Sequence, residues 1–130
     1  MATTKKKKKK KITRNMLDAL YSKIVRTRAG NRCEYDGCGS TGSCQCHHIF
    51  GRVNYSVRWY LDNGICLCAT HHKFGKWSAH QSPLWFGNWL MKTRGKKWYE
   101  DLSFKAKQYY KADYEKIYTY LKSIADKLAI

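Results

Sequence analysis

The feature that most constrains the fold is residues 44–74, where histidines and cysteines are concentrated around an asparagine. Two adjacent pairs, His47-His48 and His71-His72, supply four of the five histidines in the chain, and cysteines flank both pairs. Neutral imidazole is the commonest side-chain metal ligand and also serves as a general base near neutral pH. This concentration predicts a structural metal site beside a catalytic one, with the fold organised around both.

The six cysteines are expected to bind metal and not to form a disulfide scaffold. A chain of 130 residues corresponds to one domain, and its basic start is not followed by the apolar stretch of a secretory signal. Cysteines that stay in a reducing compartment are more often metal ligands than disulfides. No run approaches the ~20 apolar residues of a membrane span, so we expect no membrane partner.

The charge of the chain favours a nucleic-acid partner. The formal net charge is +17, and only seven of the 26 basic residues lie in the run Lys5–Lys11. Residues 1–11 are expected to form a disordered polylysine tail, because a block of like charge has no apolar surface to bury. Residues 12–130 then form a single domain that is itself basic, as expected of a protein that binds polyanions.

The hydrophobic pattern predicts an α+β domain with a motif core over 33–77 and a C-terminal helical part over 82–128. The expected order is a helix capped by Thr13 and ended by Gly30, a turn-rich loop over 31–42, a hairpin of strands 43–49 and 64–67, a short helix from Ala69 to about Trp77, and a helix from Pro83 to near Gly95. Apolar residues from Leu102 to Leu128 recur at spacings of three and four, which predicts one long helix packed against the first.

The segments HHI, DNG and LCATHH resemble the ββα-metal motif of the HNH nuclease family, over roughly Cys33 to Trp77. The continuation FGKWSAHQSPLWFGNWL is similar to small HNH endonucleases of bacteriophages. The resemblance implies a ββα-metal (His-Me finger) core with a structural zinc knuckle, flanked by N- and C-terminal helices. It also implies a cytoplasmic location, in the host cell if the chain is phage-encoded.

The resemblance assigns roles to four residues of the core. His48 matches the general base that takes a proton from the attacking water. His47 and His72 match the protein ligands of a single catalytic divalent ion, Mg²⁺ or Mn²⁺, which would bind the scissile phosphate and the departing oxygen. Asn63 matches the asparagine that tethers the connecting loop and orients the base.

The family's structural zinc is commonly held by two Cys-x-x-Cys pairs, which implies a Zn²⁺ site here with altered spacing and ligands. Cys33 and Cys38 would supply the first pair, and Cys68 with His71 the second, which gives a Cys₃His site. Three cysteines remain: Cys44, Cys46 and Cys66. A rival site could recruit them, but we expect Cys46 and Cys66 to be small buried apolar residues.

Basic residues near the motif are candidate phosphate contacts. Arg52 and Arg58 lie in the loop between the two strands, and Lys73 and Lys76 lie on the metal-binding helix. A solvated surface is the alternative for all four. The run Lys5–Lys11 would add affinity independent of base sequence, with a role in localisation or solubility as the alternative.

These features together predict a metal-dependent endonuclease that nicks or cleaves DNA, expected to be double-stranded, as a monomer or weak dimer. A non-catalytic zinc-finger DNA-binding module would explain the charge and the cysteines. It would leave His47, His48 and His72 without a purpose. A zinc-containing RNase is the third possibility.

Overall fold

A computed structural model describes residues 10–130, so the predicted tail over residues 1–11 lies almost entirely outside the described residues. The described chain combines helices with one two-stranded antiparallel sheet, in agreement with the expected α+β class. Its regular elements are α1 (Arg14–Arg28), β1 (Gln45–His48), α2 (Tyr55–Arg58), β2 (Gly64–Leu67), α3 (Pro83–Arg94), α4 (Lys96–Ala106) and α5 (Tyr114–Lys127). Within residues 10–130, no helix is both long enough and apolar enough to cross a membrane.

Helix α1 begins and ends as its sequence predicts. The Oγ1 atom of Thr13 accepts a hydrogen bond from the backbone N–H of Met16 at 3.2 Å, which satisfies one of the free donors of the first turn. Gly30 follows the helix with φ +66°, a left-handed conformation that glycine adopts without a steric penalty. The buried face of α1 packs against α5 in the largest apolar cluster, which contains Leu17, Tyr21, Ile24, Val25, Leu121 and Ala125.

The hairpin places the paired histidines of β1 beside a buried β2. Strand β1 is shorter than the predicted 43–49, whereas β2 has the predicted bounds. Cys46 pairs with Cys66 and His48 with Gly64 in the antiparallel register. A Cβ at Gly64 would lie 2.6 Å from the hydroxyl oxygen of Tyr21, so only glycine lets α1 pack this closely on the strand.

The prediction of a short helix from Ala69 to Trp77 is only partly correct. Helical turns of π type cover Thr70–Phe74, and the backbone N–H of Gly75 closes the last of them on the carbonyl of Thr70 at 2.8 Å. We call this segment the π turn. A Cβ at Gly75 would meet that carbonyl oxygen at 2.7 Å, so the tight closure requires glycine. Such π segments are rare and are frequently found at functional sites.

The prediction of one long C-terminal helix is wrong, because residues 107–113 separate α4 from α5. Asp113 caps α5: its Oδ1 accepts a hydrogen bond from the backbone N–H of Lys116 at 3.1 Å. The break allows the two helices to bury different faces. Helix α4 contacts α2 and α3, whereas α5 contacts α1. The capping aspartate, and not a glycine or proline, is the local signal for this break.

Candidate metal centres

The four residues expected to bind zinc lie together. The ligand atoms of Cys33, Cys38, Cys68 and His71 all lie within 4.8 Å of one another. The Sγ atoms of Cys38 and Cys68 are 3.9 Å apart, and the Nδ1 atom of His71 lies 3.3 Å from Sγ of Cys68. Tetrahedral zinc with Zn–S bonds of ~2.3 Å places its sulfur ligands roughly 3.8 Å apart. The Cys₃His cluster can therefore hold a metal such as zinc.

Backbone pairing to β2 positions the loop that carries the first two ligands. The N–H of Glu34 donates to the carbonyl of Cys66 at 2.8 Å, and the N–H of Cys66 donates to the Glu34 carboxylate at 2.7 Å. The N–H of Cys33 donates to the carbonyl of Ser40 at 2.9 Å and closes the loop on itself. The Tyr35 ring packs on the imidazole of His71, with centroids 4.5 Å apart.

The thiols of this cluster differ in how readily they ionise. Burial raises the pKa of Cys33 to about 12. Burial also opposes ionisation of Cys68, but hydrogen bonds from the backbone N–H groups of His71 and Thr70 and from the Cys33 and Cys38 thiols hold its pKa below the ordinary value. The local environment thus favours a thiolate at Cys68, and thiolate is the form that binds metal.

The remaining cysteines do not join this cluster in the described part of the chain. Cys66 is fully buried against α1, and burial raises the pKa of Cys46 to about 12. The Cys44 thiol donates to the carbonyl of Ser40 at 3.1 Å. These surroundings agree with the expectation of a small buried apolar residue for Cys66, whereas Cys46 is only half-buried.

A second cluster consists of three imidazoles from three parts of the chain. His47 from β1, His72 from the π turn and His80 place one ring nitrogen each within 4.8 Å of the others. The Nε2 atoms of His72 and His80 are 3.1 Å apart. His47 and His72 are the ligand pair expected from the sequence, whereas His80 was not assigned a role. Hydrogen bonds from the backbone N–H groups of Ala79 and His80 to the carbonyls of His71 and His72 bring His80 back to the cluster.

The nitrogen atoms of this cluster are available to a cation. The Nδ1–H of His72 donates to the side-chain oxygen of Gln45 at 2.7 Å, which leaves Nε2 unprotonated and directed at the other two rings. Burial, together with the neighbouring imidazoles, lowers the pKa of His47 to about 3 and that of His72 to about 4. Both rings are therefore neutral at physiological pH, which is the ligating form.

His48 lies on the opposite side of β1, against α1. Its ring stacks on Tyr21 with centroids 5.2 Å apart, and its Nε2–H donates to the backbone carbonyl of Arg58 at 3.0 Å. That bond assigns the proton to Nε2 and leaves Nδ1 as the acceptor. Burial lowers the pKa of His48, although the Arg58 carbonyl opposes this effect.

Asn63 joins the two ends of the connection between the strands. Its Oδ1 accepts from the N–H of Phe50 at 2.8 Å, and its Nδ2 donates to the carbonyl of Phe50 at 2.9 Å. The side chain is fully buried, so the paired hydrogen bonds replace its lost contacts with water. This geometry is the loop tether expected of Asn63.

Arg58 is not free for the surface role that the sequence suggested. Its guanidinium is buried and donates to both carboxylate oxygens of Asp18, at 3.0 and 2.6 Å. The Trp59 indole N–H donates to the same carboxylate at 2.9 Å. Three donors on one carboxylate anchor the connection to α1, and they fix the carbonyl that binds His48. Among the two loop arginines, exposed Arg52 is the one that faces solvent.

A groove of 690 Å³ brings these groups together. His47, His48, His72 and His80 all line it, and its basic residues are Arg26, Arg52 and Lys73. The sequence suggested Arg52 and Lys73 but not Arg26, which lies on α1 and reaches the groove only through the packing of α1 on the hairpin. Lys76 is not among the lining residues, and its Nζ lies 5.8 Å from the centroid of the Trp77 ring.

Comparisons of the chain with protein-family models, with curated proteins and with solved structures found no match.

Proposed function

We propose that the chain is a metal-dependent DNA endonuclease of the small, phage-type HNH kind, in which the hairpin and the π turn form a ββα-metal core. One observation carries the proposal. His48, with Nδ1 free to accept a proton, and a cluster of three imidazoles, of which His47 and His72 are neutral, line the same basic groove. Phosphodiester hydrolysis needs an activated water, a cation near the scissile phosphate and positive charge along the backbone.

His48 acts as the general base. Its Nε2–H is held by the Arg58 carbonyl, so the ring presents Nδ1 to a water molecule in the groove. The same hydrogen bond stabilises the imidazolium that forms when Nδ1 takes the proton. Asn63 holds the ends of the connection together, and the ion pair of Arg58 with Asp18 fixes the carbonyl, so the base keeps one orientation.

His47, His72 and His80 would hold the catalytic ion. A divalent ion bound there would neutralise charge that develops on the phosphate and on the departing 3′ oxygen. The donor set consists of three nitrogens and no carboxylate, and Mg²⁺ prefers oxygen ligands. Imidazole suits first-row transition ions, so these ligands favour Mn²⁺ or Zn²⁺ over Mg²⁺.

The basic residues of the groove fit a nucleic-acid backbone. Arg26 and Arg52 belong to different elements, and Lys73 lies on the π turn beside His72. Contacts of this type supply affinity that is independent of base sequence. The zinc cluster supports the site indirectly, because Cys68 and His71 anchor the segment that carries His72 and Lys73.

A non-catalytic zinc-finger DNA-binding module needs only the Cys₃His cluster and a basic surface. It gives no reason for the second cluster of imidazoles, in which His47 and His72 are held neutral, beside an oriented His48. A zinc-containing RNase would use the same chemistry, so substrate choice decides between the two enzymes.

Zinc-loaded protein incubated separately with supercoiled plasmid and with structured RNA tests the proposal. Each reaction contains Mn²⁺, Mg²⁺, Zn²⁺ or no added divalent ion. We expect nicked or linear plasmid with added ion, most with a transition ion, and little or none without it. Intact plasmid in every reaction would contradict the proposal, and cleavage of RNA alone would support the RNase instead.

A further inference from the structure

A second cavity lies apart from the groove, between α2, α4 and α5. Its volume is 260 Å³, and we call it the tyrosine hollow. Tyr60, Tyr110 and Tyr120 line it and expose 40, 46 and 54% of their surface. Trp59 also lines the hollow but is itself buried. Exposed aromatic rings around a cavity provide flat surfaces on which a planar ligand can stack.

The charge at the hollow is positive. Lys105 and Lys116 line it, and no carboxylate does so among the residues that the structure describes. The Nζ atom of Lys105 lies 4.7 Å from the centroid of the Tyr60 ring. The connection that carries Tyr110 also carries Lys107 and Lys111. Burial and the nearby carboxylate of Asp62 raise the pKa of the Tyr60 hydroxyl.

We propose that the tyrosine hollow binds an unpaired base of single-stranded nucleic acid. Aromatic rings interleaved with cations are the arrangement by which proteins bind single strands, since every base has a face that stacks and every nucleotide carries a phosphate. A duplex would offer only phosphates here, because its bases are already stacked on one another. An acidic peptide would use the lysines but would leave the three exposed rings without a role.

The hollow is connected to the groove through one hydrogen bond. Trp59 lines the hollow and Asp18 lines the groove. The indole N–H of Trp59 donates to the Asp18 carboxylate at 2.9 Å. The two cavities are therefore lined by residues that contact each other. Binding at the hollow does not depend on cleavage at the groove, so each proposal can fail alone.

Fluorescence anisotropy of labelled single strands, without added divalent ion, tests the proposal. The probes are a thymidine oligomer, an abasic oligomer of the same length and charge, and a polyglutamate peptide. Tyr110→Ala and Tyr120→Ala each remove one exposed ring. Tyr109→Ala is the matched control, because Tyr109 is 94% exposed and does not line the hollow. Tyr60 is left intact so that its backbone carbonyl, which accepts a hydrogen bond from the buried Tyr21 hydroxyl, keeps its position.

Loss of one stacking ring should weaken binding of the thymidine oligomer about 5- to 150-fold. The abasic oligomer should bind the variants and the wild type equally, and Tyr120→Phe should restore binding because it keeps the ring. Unchanged affinity for the thymidine oligomer would overturn the proposal. Equal losses for the abasic oligomer, or tighter binding of polyglutamate than of the thymidine oligomer, would also overturn it.

Discussion

The orientation of single side chains in the groove depends on a few buried polar contacts. His48 is held by a backbone carbonyl, and that carbonyl belongs to Arg58, whose side chain is fixed by Asp18. His72 is oriented in the same way by Gln45. Loss of a residue that touches no substrate can therefore change the chemistry of the groove.

His80 is the proposed ligand that the sequence pattern did not reveal, because it lies eight residues beyond His72 with no regular helix between them. His80→Ala should raise the Mn²⁺ concentration that gives half-maximal cleavage by at least about tenfold, since one of three protein ligands is lost. Leu84→Ala, which changes a residue that is 79% exposed and outside the cluster, is the control and should match the wild type. An unchanged Mn²⁺ dependence for His80→Ala would remove His80 from the site.

Asp18 gives stability a defined dependence on pH. Burial opposes its ionisation, but hydrogen bonds from Arg58 and Trp59 lower its pKa below the ordinary value. Because the pKa is lowered, the carboxylate makes its full contribution to the free energy of unfolding above its unfolded pKa of ~3.9. This contribution is lost as the pH falls through the folded pKa.

The variant Asp18→Asn should therefore melt below the wild type at pH 7, with a difference that shrinks below about pH 4. Thermal unfolding of both proteins from pH 7 to pH 3 measures this difference. A difference that stays constant over that range would show that the charge of Asp18 is not the source of the stability. The control is Asp126→Asn, because Asp126 makes only an exposed pair with Lys122.

Among the helices and strands, the sequence predicted the limits of those elements that have clear signals at their ends. Thr13 and Gly30 predicted the limits of α1, and a short segment marked by glycine and asparagine predicted β2. The separation of α4 from α5 was missed because apolar spacing continues across residues 107–113. Each helix buries its own face against a different partner, so the spacing alone gives no sign of the break.

The loop over 31–42, which carries Cys33 and Cys38, and the π turn should depend on zinc for their structure. Cys33→Ser should lower both the zinc content and the melting temperature, since structural zinc contributes ~10–16 kcal/mol of apparent binding energy in small domains. Cys46→Ser is the matched control and should keep one zinc per chain. Metal analysis with thermal unfolding measures both variants. Zinc lost from Cys46→Ser but retained by Cys33→Ser would contradict the assignment of ligands.

At the scale of the whole molecule, the groove exists only because α1 packs on the hairpin. The sequence predicted His47 and His72 as candidate ligands and His48 as the candidate base, since adjacent histidines and the asparagine lie within one short stretch. The sequence could not predict that Arg26 lines the groove or that Arg58 is buried. Both depend on which face of α1 packs against the connection between β1 and β2. Side chains distant in sequence become neighbours only through tertiary packing.

The run Lys5–Lys11 is expected to add charge-dependent affinity and no catalytic group. Deletion of residues 1–11 should make the slope of log duplex affinity against log salt concentration less negative by several units. Each phosphate contact contributes about −0.9 to that slope. The cleavage rate at saturating DNA should stay near that of the full chain. Binding titrations at several salt concentrations measure the slope, and an unchanged slope would show that the run does not contact DNA.

In the proposed mechanism, His48 activates water for phosphodiester hydrolysis. The most direct test is the single-turnover rate of plasmid nicking by His48→Ala at saturating DNA and Mn²⁺. The rate should fall ~10²–10⁴-fold, the usual contribution of a general base, while zinc content and duplex affinity stay near those of the wild type. A variant that folds, binds DNA and nicks within a few-fold of the wild-type rate would show that His48 is not the general base.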